Sequence, residues 1–426
     1  MLAFLRRWPL LLPALVLLGL FLYMTGPGFG GTGDSWNYLW AAKIWRQSGQ
    51  LLAPNGQPYR YWGPLYPLLL AYFYSPAAVR WLHGGALLVH LVLWGQVGRW
   101  LLPAGRARWL PWLVALSTAV LVPAGFVWSE TVFGALSAAY FWALLGWLRG
   151  KAGGWWGLAT AAGFLLPLQR TSGFFLLAGA GAGLLLVGLG RGRWRPLLLH
   201  WAGCAAGGLA WNYYAEVLAG PPVYQTHYPW DALGSVADYG FVLMRWFLPL
   251  AAAGRTLLPV LWAVALPALL CLLFPVNPQK APLAGNSDAG PFITREQSLR
   301  LVWGVVLCTV VALLLATRAS RAAAGPESAE RYCAALVGPV MLLALARWPD
   351  LDNRLGLKAG AWRRWVSPGI LGGCLAYSAV RVGHNAQQQR HRVPMPWPEA
   401  VAPAQAPLLP AAENRKEACQ LPNRKY

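Results

Sequence analysis

Charge is scarce in this chain of 426 residues, and acid is scarcest: 12% of the residues are charged, with 14 Asp+Glu against 35 Lys+Arg. So little charge beside 57% hydrophobic residues excludes intrinsic disorder and a fibrous repeat, and it argues against an ordinary water-soluble enzyme. The six cysteines (Cys204, Cys271, Cys308, Cys333, Cys374, Cys419) are scattered singly, with no CxxC or Cys/His spacing. That excludes a disulfide scaffold and leaves them as packing residues. No tandem repeat, Ser/His/Asp triad or zinc motif emerges. The glycine run GPGFGGTGD lacks the Lys-Ser/Thr of a phosphate-cradling loop and follows an apolar run instead of a strand, so it reads as a flexible lead into Asp34.

What is present is a series of long apolar runs separated by short breaks that carry arginine. An excess of +21 charges would suggest nucleic acid in a soluble chain, but here the basic residues cluster between apolar runs, as the positive-inside rule demands of a membrane protein. The 26 Trp fit the same reading, because many (Trp8, Trp36, Trp45, Trp62, Trp81, Trp100, Trp109, Trp128) stand at the ends of apolar runs, where headgroups anchor an amphipathic ring. The chain is therefore expected to be an all-α polytopic membrane protein.

About eleven spans are predicted, at residues 8–24, 78–101, 109–126, 130–148, 153–169, 171–189, 196–218, 256–275, 299–317, 332–347 and 365–382. The first follows Arg6 and Arg7 without a cleavage site before Gly26, which makes it an uncleaved anchor with a cytoplasmic N-terminus. On that topology 18 Lys and Arg lie in inner loops and ten in outer loops, with seven more from Arg381 onward. Residues 25–77 form a long first outer loop with a short helix near residues 35–48, and residues 219–255 form a second, interrupted by Arg245, Pro249 and Arg255 and suited to lie in the interface. Residues 1–382 make one transmembrane domain, and 383–426 a Pro-rich, flexible tail.

Charged groups at membrane depth are expensive and usually functional. Asp34 lies ten residues after the first span, and Glu130 interrupts FVWSETVFGAL. Arg170 splits LLPLQRTSGFFLL, and Arg331 opens ERYCAALVGPV. Hydropathy and loop charge place all four at one membrane face. Two carboxylates beside two guanidiniums suit a phosphate-bearing lipid: arginine offers paired donors to phosphate oxygens, and a carboxylate accepts a proton or binds a divalent ion. His83 and His90, seven residues apart, read as packing residues, while the loop of Tyr224, His227, Tyr228, Trp230 and Asp231 could stack on a sugar.

Residues 33–73, GDSWNYLWAAKIWRQSGQLLAPNGQPYRYWGPLYPLLLAYF, resemble the first outer loop of GT-C superfamily glycosyltransferases, in particular the bacterial branch related to protein mannosyltransferases and the lipid A aminoarabinose transferase. The matching residues are Asp34, Tyr38, Trp62, Pro64, Leu65, Tyr66, Pro67 and Ala71, with later counterparts at Ser129-Glu130, Arg170, Arg331-Tyr332 and Pro339. The resemblance implies a transferase that moves a sugar from a polyprenyl-phosphate donor to a lipid, glycan or protein acceptor at the outer face of a bacterial inner membrane. It implies Asp34 as general base or metal-contacting carboxylate, Glu130 as a second acid near the sugar, and Arg170 and Arg331 as holders of the donor phosphate. Lys43 and Arg60 are further phosphate candidates, and Tyr38, Tyr66 and His227 further substrate contacts. A divalent cation, Mg or Mn, would sit at Asp34, although the lone Gly33-Asp34-Ser35 departs from the adjacent acids of many relatives. The alternative is a non-enzymatic carrier, flippase or scaffold for a lipid-linked sugar. Its translocation path would need polar residues along several spans.

Overall fold

A computed structural model describes residues 10–60, 62–150, 154–186, 190–219, 232–248, 259–275, 293–319, 326–354 and 361–398. Apolar runs that cannot leave backbone groups unpaired in lipid must close their hydrogen bonds within the segment, so they become helices. Each of the predicted spans is met by helix, the 109–126 span by two short helices, Leu110–Ala115 and Thr118–Ala124. In chain order the helices are α1 (Leu11–Thr25), α2 (Gly33–Ser48), α3 (Leu65–Tyr72), α4 (Pro76–Leu101), α5 (Leu110–Ala115), α6 (Thr118–Ala124), α7 (Glu130–Leu148) and α8 (Trp155–Gln169). There follow α9 (Ser172–Leu186), α10 (Gly190–Tyr213, prolonged by a wider turn over Tyr214–Leu218), α11 (Ala232–Met244), α12 (Pro259–Leu273), α13 (Arg295–Ala319), α14 (Pro326–Cys333), α15 (Val337–Arg354) and α16 (Ala361–Arg390). Among the described residues no strand forms beyond the single bridges Gly30↔Phe126 and Leu52↔Pro58.

Among the described residues, five segments, Pro76–Leu101, Ala104–Ala124, Glu130–Leu148, Arg295–Thr317 and Ala329–Trp348, are long and apolar enough to cross a membrane. Large apolar side chains that point outward, among them Leu15, Leu22, Leu199, Val264, Leu315 and Val380, form the lipid-facing surface of this integral membrane protein. One end of the bundle is tied by Arg295 Nε to the Leu101 carbonyl, Arg106 Nη1 to those of Leu345 and Ala346, the Ile293 amide to the Leu148 carbonyl, and Arg347 Nε to the Leu272 carbonyl. The other end carries α2, α3 and the charged cluster described below.

Small residues let the helices meet closely. In the AGAGAG run, a Cβ on Gly179 would come within 2.9 Å of the Val305 backbone, so α9 and α13 pack with their main chains nearly touching. Gly208 likewise makes room for Pro167 and Phe174. Nearer the charged end, Gly63 lies against the main chain at the end of α8, where a Cβ would stand 2.7 Å from the Leu168 carbonyl carbon and 2.9 Å from that of Gln169. Backbone cannot step aside as a side-chain tip can. Gly63→Ala is therefore expected to destabilise the protein by about 1–3 kcal/mol, the usual range for overpacking, measured as a lowered unfolding midpoint in lipid nanodiscs.

Three expectations change. The last helix continues past residue 382 to Arg390, and residues 391–398 then lie against the first outer loop instead of hanging as a tail. Helix α11 does not simply float in the interface: Tyr239, Val242 and Leu243 are buried in the main core, and Tyr239 Oη pairs with Thr317 Oγ1 at 3.2 Å. The glycine run is no free lead, because the Gly30 amide donates to the Gly125 carbonyl at 2.8 Å and the Met395 amide to the Phe29 carbonyl at 2.9 Å.

Candidate functional site

Helix α2 begins with a reciprocal cap. Thr32 Oγ1 accepts from the Ser35 amide, and Ser35 Oγ accepts from the Thr32 amide, which fixes the first turn and with it Asp34. The carboxylate of Asp34 thus stands where unpaired amides at the helix start favour negative charge. Glu130 occupies the same kind of position, in the first turn of α7. Arg170 follows the last residue of α8 in an extended conformation, where the chain must turn into α9. Arg331 lies in the last turn of α14, where a cation suits the helix end.

These four residues meet. Glu130 Oε1 accepts from Arg170 Nη1 at 2.7 Å and from both Nε and Nη2 of Arg331 at 2.7 Å. Arg331 Nη2 also reaches Asp34 Oδ2 at 3.1 Å. The side chain of Glu130 is 2% exposed and that of Asp34 30%, so one acid is sealed in while the other faces solvent. Among the described residues, Glu130 Oε2 is buried without a hydrogen-bond partner. A sealed carboxylate survives beside lipid only if cations compensate it, and two guanidiniums do so here.

Around this core the packing is aromatic and hydroxyl-rich. Arg170 Nη1 also donates to Ser129 Oγ at 3.1 Å, Ser129 Oγ pairs with Tyr38 Oη at 3.2 Å, and Gln169 Nε2 donates to the Ser129 carbonyl at 3.0 Å. Burial pushes the Tyr38 phenol well above its ordinary pKa, so Tyr38 stays a neutral hydrogen-bonding group. Its ring meets Tyr66 edge-on at 4.9 Å and Trp62 at 5.3 Å, and Tyr66 Oη pairs with His83 Nε2 at 2.8 Å. His83 in turn meets the Ala124 carbonyl at 3.1 Å, the structural role expected of it. The guanidinium of Arg331 lies 3.7 Å from the centre of the Trp128 ring, and Trp128 Nε1 donates to Thr32 Oγ1 at 2.8 Å.

Other expected site residues fall elsewhere. Lys43 Nζ donates to the Pro398 carbonyl at 3.3 Å, and Arg60 Nη1 to the Ala219 carbonyl at 2.8 Å. His227, with Tyr224, Tyr228, Trp230 and Asp231, lies outside the described residues.

A second cluster escaped the sequence reading. Glu330, the neighbour of Arg331 on α14, accepts from Arg245 Nη2, from Arg381 Nη2 at 2.9 Å and from Thr118 Oγ1 at 2.8 Å. Adjacent residues of one helix thus face opposite partners, acid toward the cations of residues 245 and 381, base toward the acids of residues 34 and 130. The signal that could have found it is Arg245, an arginine in an otherwise apolar stretch.

The donor set does not fit a divalent cation as it stands. Arg331 lies between the two carboxylates, and each has an oxygen taken by a guanidinium, so the two acids present no shared oxygen pair for an ion. Among the described residues no group of three or more His, Cys, Asp or Glu gathers to hold a metal.

Long apolar helices, with a long first loop carrying short helices beside a charged cluster at one end, make a GT-C-like fold. Among solved structures it is shared by ArnT from Cupriavidus metallidurans, an aminoarabinose transferase of the GT-C type, in the crystal form bound to undecaprenyl phosphate. That chain is 14% identical, the alignment covers 89% of this chain and 76% of that one, and the TM-score is 0.56. The apo state of the same protein aligns over 91% and 78% at 17% identity, with a TM-score of 0.47. No protein-family model matches the chain, and no curated protein does. At this identity the likeness is one of fold.

Proposed function

We propose that this protein is a membrane glycosyltransferase that takes a sugar from a polyprenyl-phosphate donor and passes it to an acceptor at the face where Asp34 lies. The observation that carries the reading is a buried carboxylate, Glu130, held between two arginines, one of which, Arg331, also reaches a solvent-facing carboxylate, Asp34. Support for the donor class comes from ArnT, which shares the fold and was crystallised with undecaprenyl phosphate.

The chemistry follows from the charges. When the sugar passes to the acceptor, the lipid monophosphate is the leaving group, and it gains one negative charge as the bond from the anomeric carbon to phosphate oxygen breaks. Guanidiniums already fixed by Glu130 meet that charge without reorganising. Among the described residues, neither Arg331 Nη1 nor Arg170 Nη2 is taken by a partner, so each keeps a donor for a phosphate oxygen. When the phosphate draws on Arg331, Asp34 gives up its partner and becomes the base that accepts the proton of the attacking acceptor group. Glu130 positions the arginines and has no path to release a proton. This assignment differs from a second acid at the sugar, and it follows from the acid's burial.

The site face is read as the outer, periplasmic side of a bacterial inner membrane. The ten Lys and Arg counted there gain Arg381, Arg390 and Arg392, against 18 at the opposite end, and the remaining excess supports that orientation.

Arg331→Lys tests the phosphate role. A lysine keeps the charge but cannot span Glu130 and Asp34, stack on Trp128 and still offer a donor to phosphate. Its affinity for polyprenyl phosphate, titrated in nanodiscs, is expected to fall about tenfold or more, the worth of one charge-assisted hydrogen bond. Unchanged affinity in both Arg331→Lys and Arg170→Lys would place the phosphate elsewhere.

A further inference from the structure

Beyond Arg390 the chain turns back across the face that carries Asp34. Gln389 Nε2 donates to the Val122 carbonyl at 3.3 Å, and Arg390 Nη1 to the Tyr23 carbonyl at 3.2 Å, so the end of α16 is moored to α6 and α1. Residues 391–398 then run beside the glycine run. The Met395 amide donates to the Phe29 carbonyl at 2.9 Å, the rings of Trp397 and Tyr74 stand 6.0 Å apart, and the Pro398 carbonyl accepts from Lys43 on α2.

The glycines explain how close this approach is. A Cβ on Gly28 would stand 2.6 Å from Pro394 Cβ, and one on Gly31 2.7 Å from Met395 Cβ. On the other side, a Cβ on Gly30 would stand 2.7 Å from the Phe126 ring. At these glycines the run is a ribbon of bare backbone, clamped between Phe126 and the returning chain. Glycine loses more freedom on ordering than any other residue, so such a ribbon holds its path only under a clamp. Asp34, in the first turn of α2, lies three residues beyond Gly31.

The same segment touches the cluster by a second route. Phe126 and Trp128 stack at 4.2 Å with their planes 11° apart. Arg331 covers the Trp128 ring, and Arg392 lies 5.0 Å from the centre of the Phe126 ring. Two cations thus close a stack of two rings, one from the cluster and one from the returning chain.

We propose that residues 391–398 are a positioning strap for the site: they fix the glycine run that delivers Asp34 and, through Arg392 and the Phe126–Trp128 stack, the plane of the Arg331 guanidinium. As far as turnover is concerned, this rests on the transferase reading above.

The experiment pairs hydrogen–deuterium exchange of residues 26–33 with turnover, both in nanodiscs, for wild type, Met395→Gly, Gly31→Ala and the double variant. Loss of the strap's side chain in Met395→Gly, or displacement of the strap in Gly31→Ala, is expected to speed exchange in that segment about tenfold. Turnover should fall by a similar factor, with little change in KM for the donor. The double variant makes room for the new methyl and should regain part of what Gly31→Ala loses. Unchanged exchange in both single variants overturns the strap, and faster exchange with full turnover overturns its positioning role. If wild type itself shows no turnover, the transferase reading fails while exchange still decides whether the strap exists.

Discussion

Glu130→Gln is expected to lower the stability of the protein by about 3–5 kcal/mol and to abolish turnover, the largest combined effect of any single change at the site. Arg170 and Arg331 both rest on one oxygen of this carboxylate, at a depth where no water replaces it. Removing its charge leaves two guanidiniums close together and half-sealed, with Asp34 as their remaining acid among the described residues. A neutral amide of the same size isolates the charge from the packing. If the loss comes from unpaired cations, removing one should restore part of it. Glu130→Gln with Arg170→Gln is expected to be more stable than the two single losses added together, by a coupling of about 0.5–3 kcal/mol, while remaining inactive. Unfolding in nanodiscs, followed through the tryptophans, measures all four corners of that cycle. Simple additivity would mean that the pair seen between Glu130 and Arg170 does not hold the site together.

Asp34→Asn should do the opposite: little to stability and about 10²–10⁴-fold off kcat, the range of a lost general base. Its side chain is 30% exposed, it makes one bond to Arg331 at 3.1 Å, and its helix keeps the Thr32–Ser35 cap. An exposed pair and a helix-end charge together contribute about 1 kcal/mol or less. The asparagine still fits and can accept a hydrogen bond, but it cannot take a proton. Donor affinity should stay the same or rise, since Arg331 loses a competitor for its Nη2 group. A drop in stability and turnover together, with weaker donor binding, would instead make Asp34 a structural group.

The spans were legible in the sequence because lipid imposes one rule on every residue that faces it, and the rule shows as uninterrupted apolar length. By the same rule, Asp34, Glu130, Arg170 and Arg331 stood out, being the charges that break or border those lengths; the fold brings them into contact. Glu330 did not stand out, because an acid beside an arginine near a helix start looks like ordinary surface. Its partners lie 85 and 51 residues away, and nothing local in the sequence records such pairs. Lys43 and Arg60 were visible as cations in the right loop, yet where a loop cation points depends on turns that hydropathy cannot read. The strap was hidden for a different reason. Residues 391–398 hold on through a backbone amide, two ring contacts and the space left by missing Cβ atoms, so their Pro-rich composition alone reads as linker. The glycines announced that something passed close by, without saying what.

The central claim is that the two arginines and Asp34 serve transfer from a lipid-phosphate sugar. It is tested most directly by incubating the protein in nanodiscs with a panel of polyprenyl-phosphate sugars and a membrane-extract acceptor mixture, with and without a chelator, and measuring release of polyprenyl phosphate. The account predicts release from at least one donor, unaffected by the chelator and lost in Asp34→Asn. Tight donor binding with no release from any donor would contradict it and point to a carrier of lipid-linked sugar.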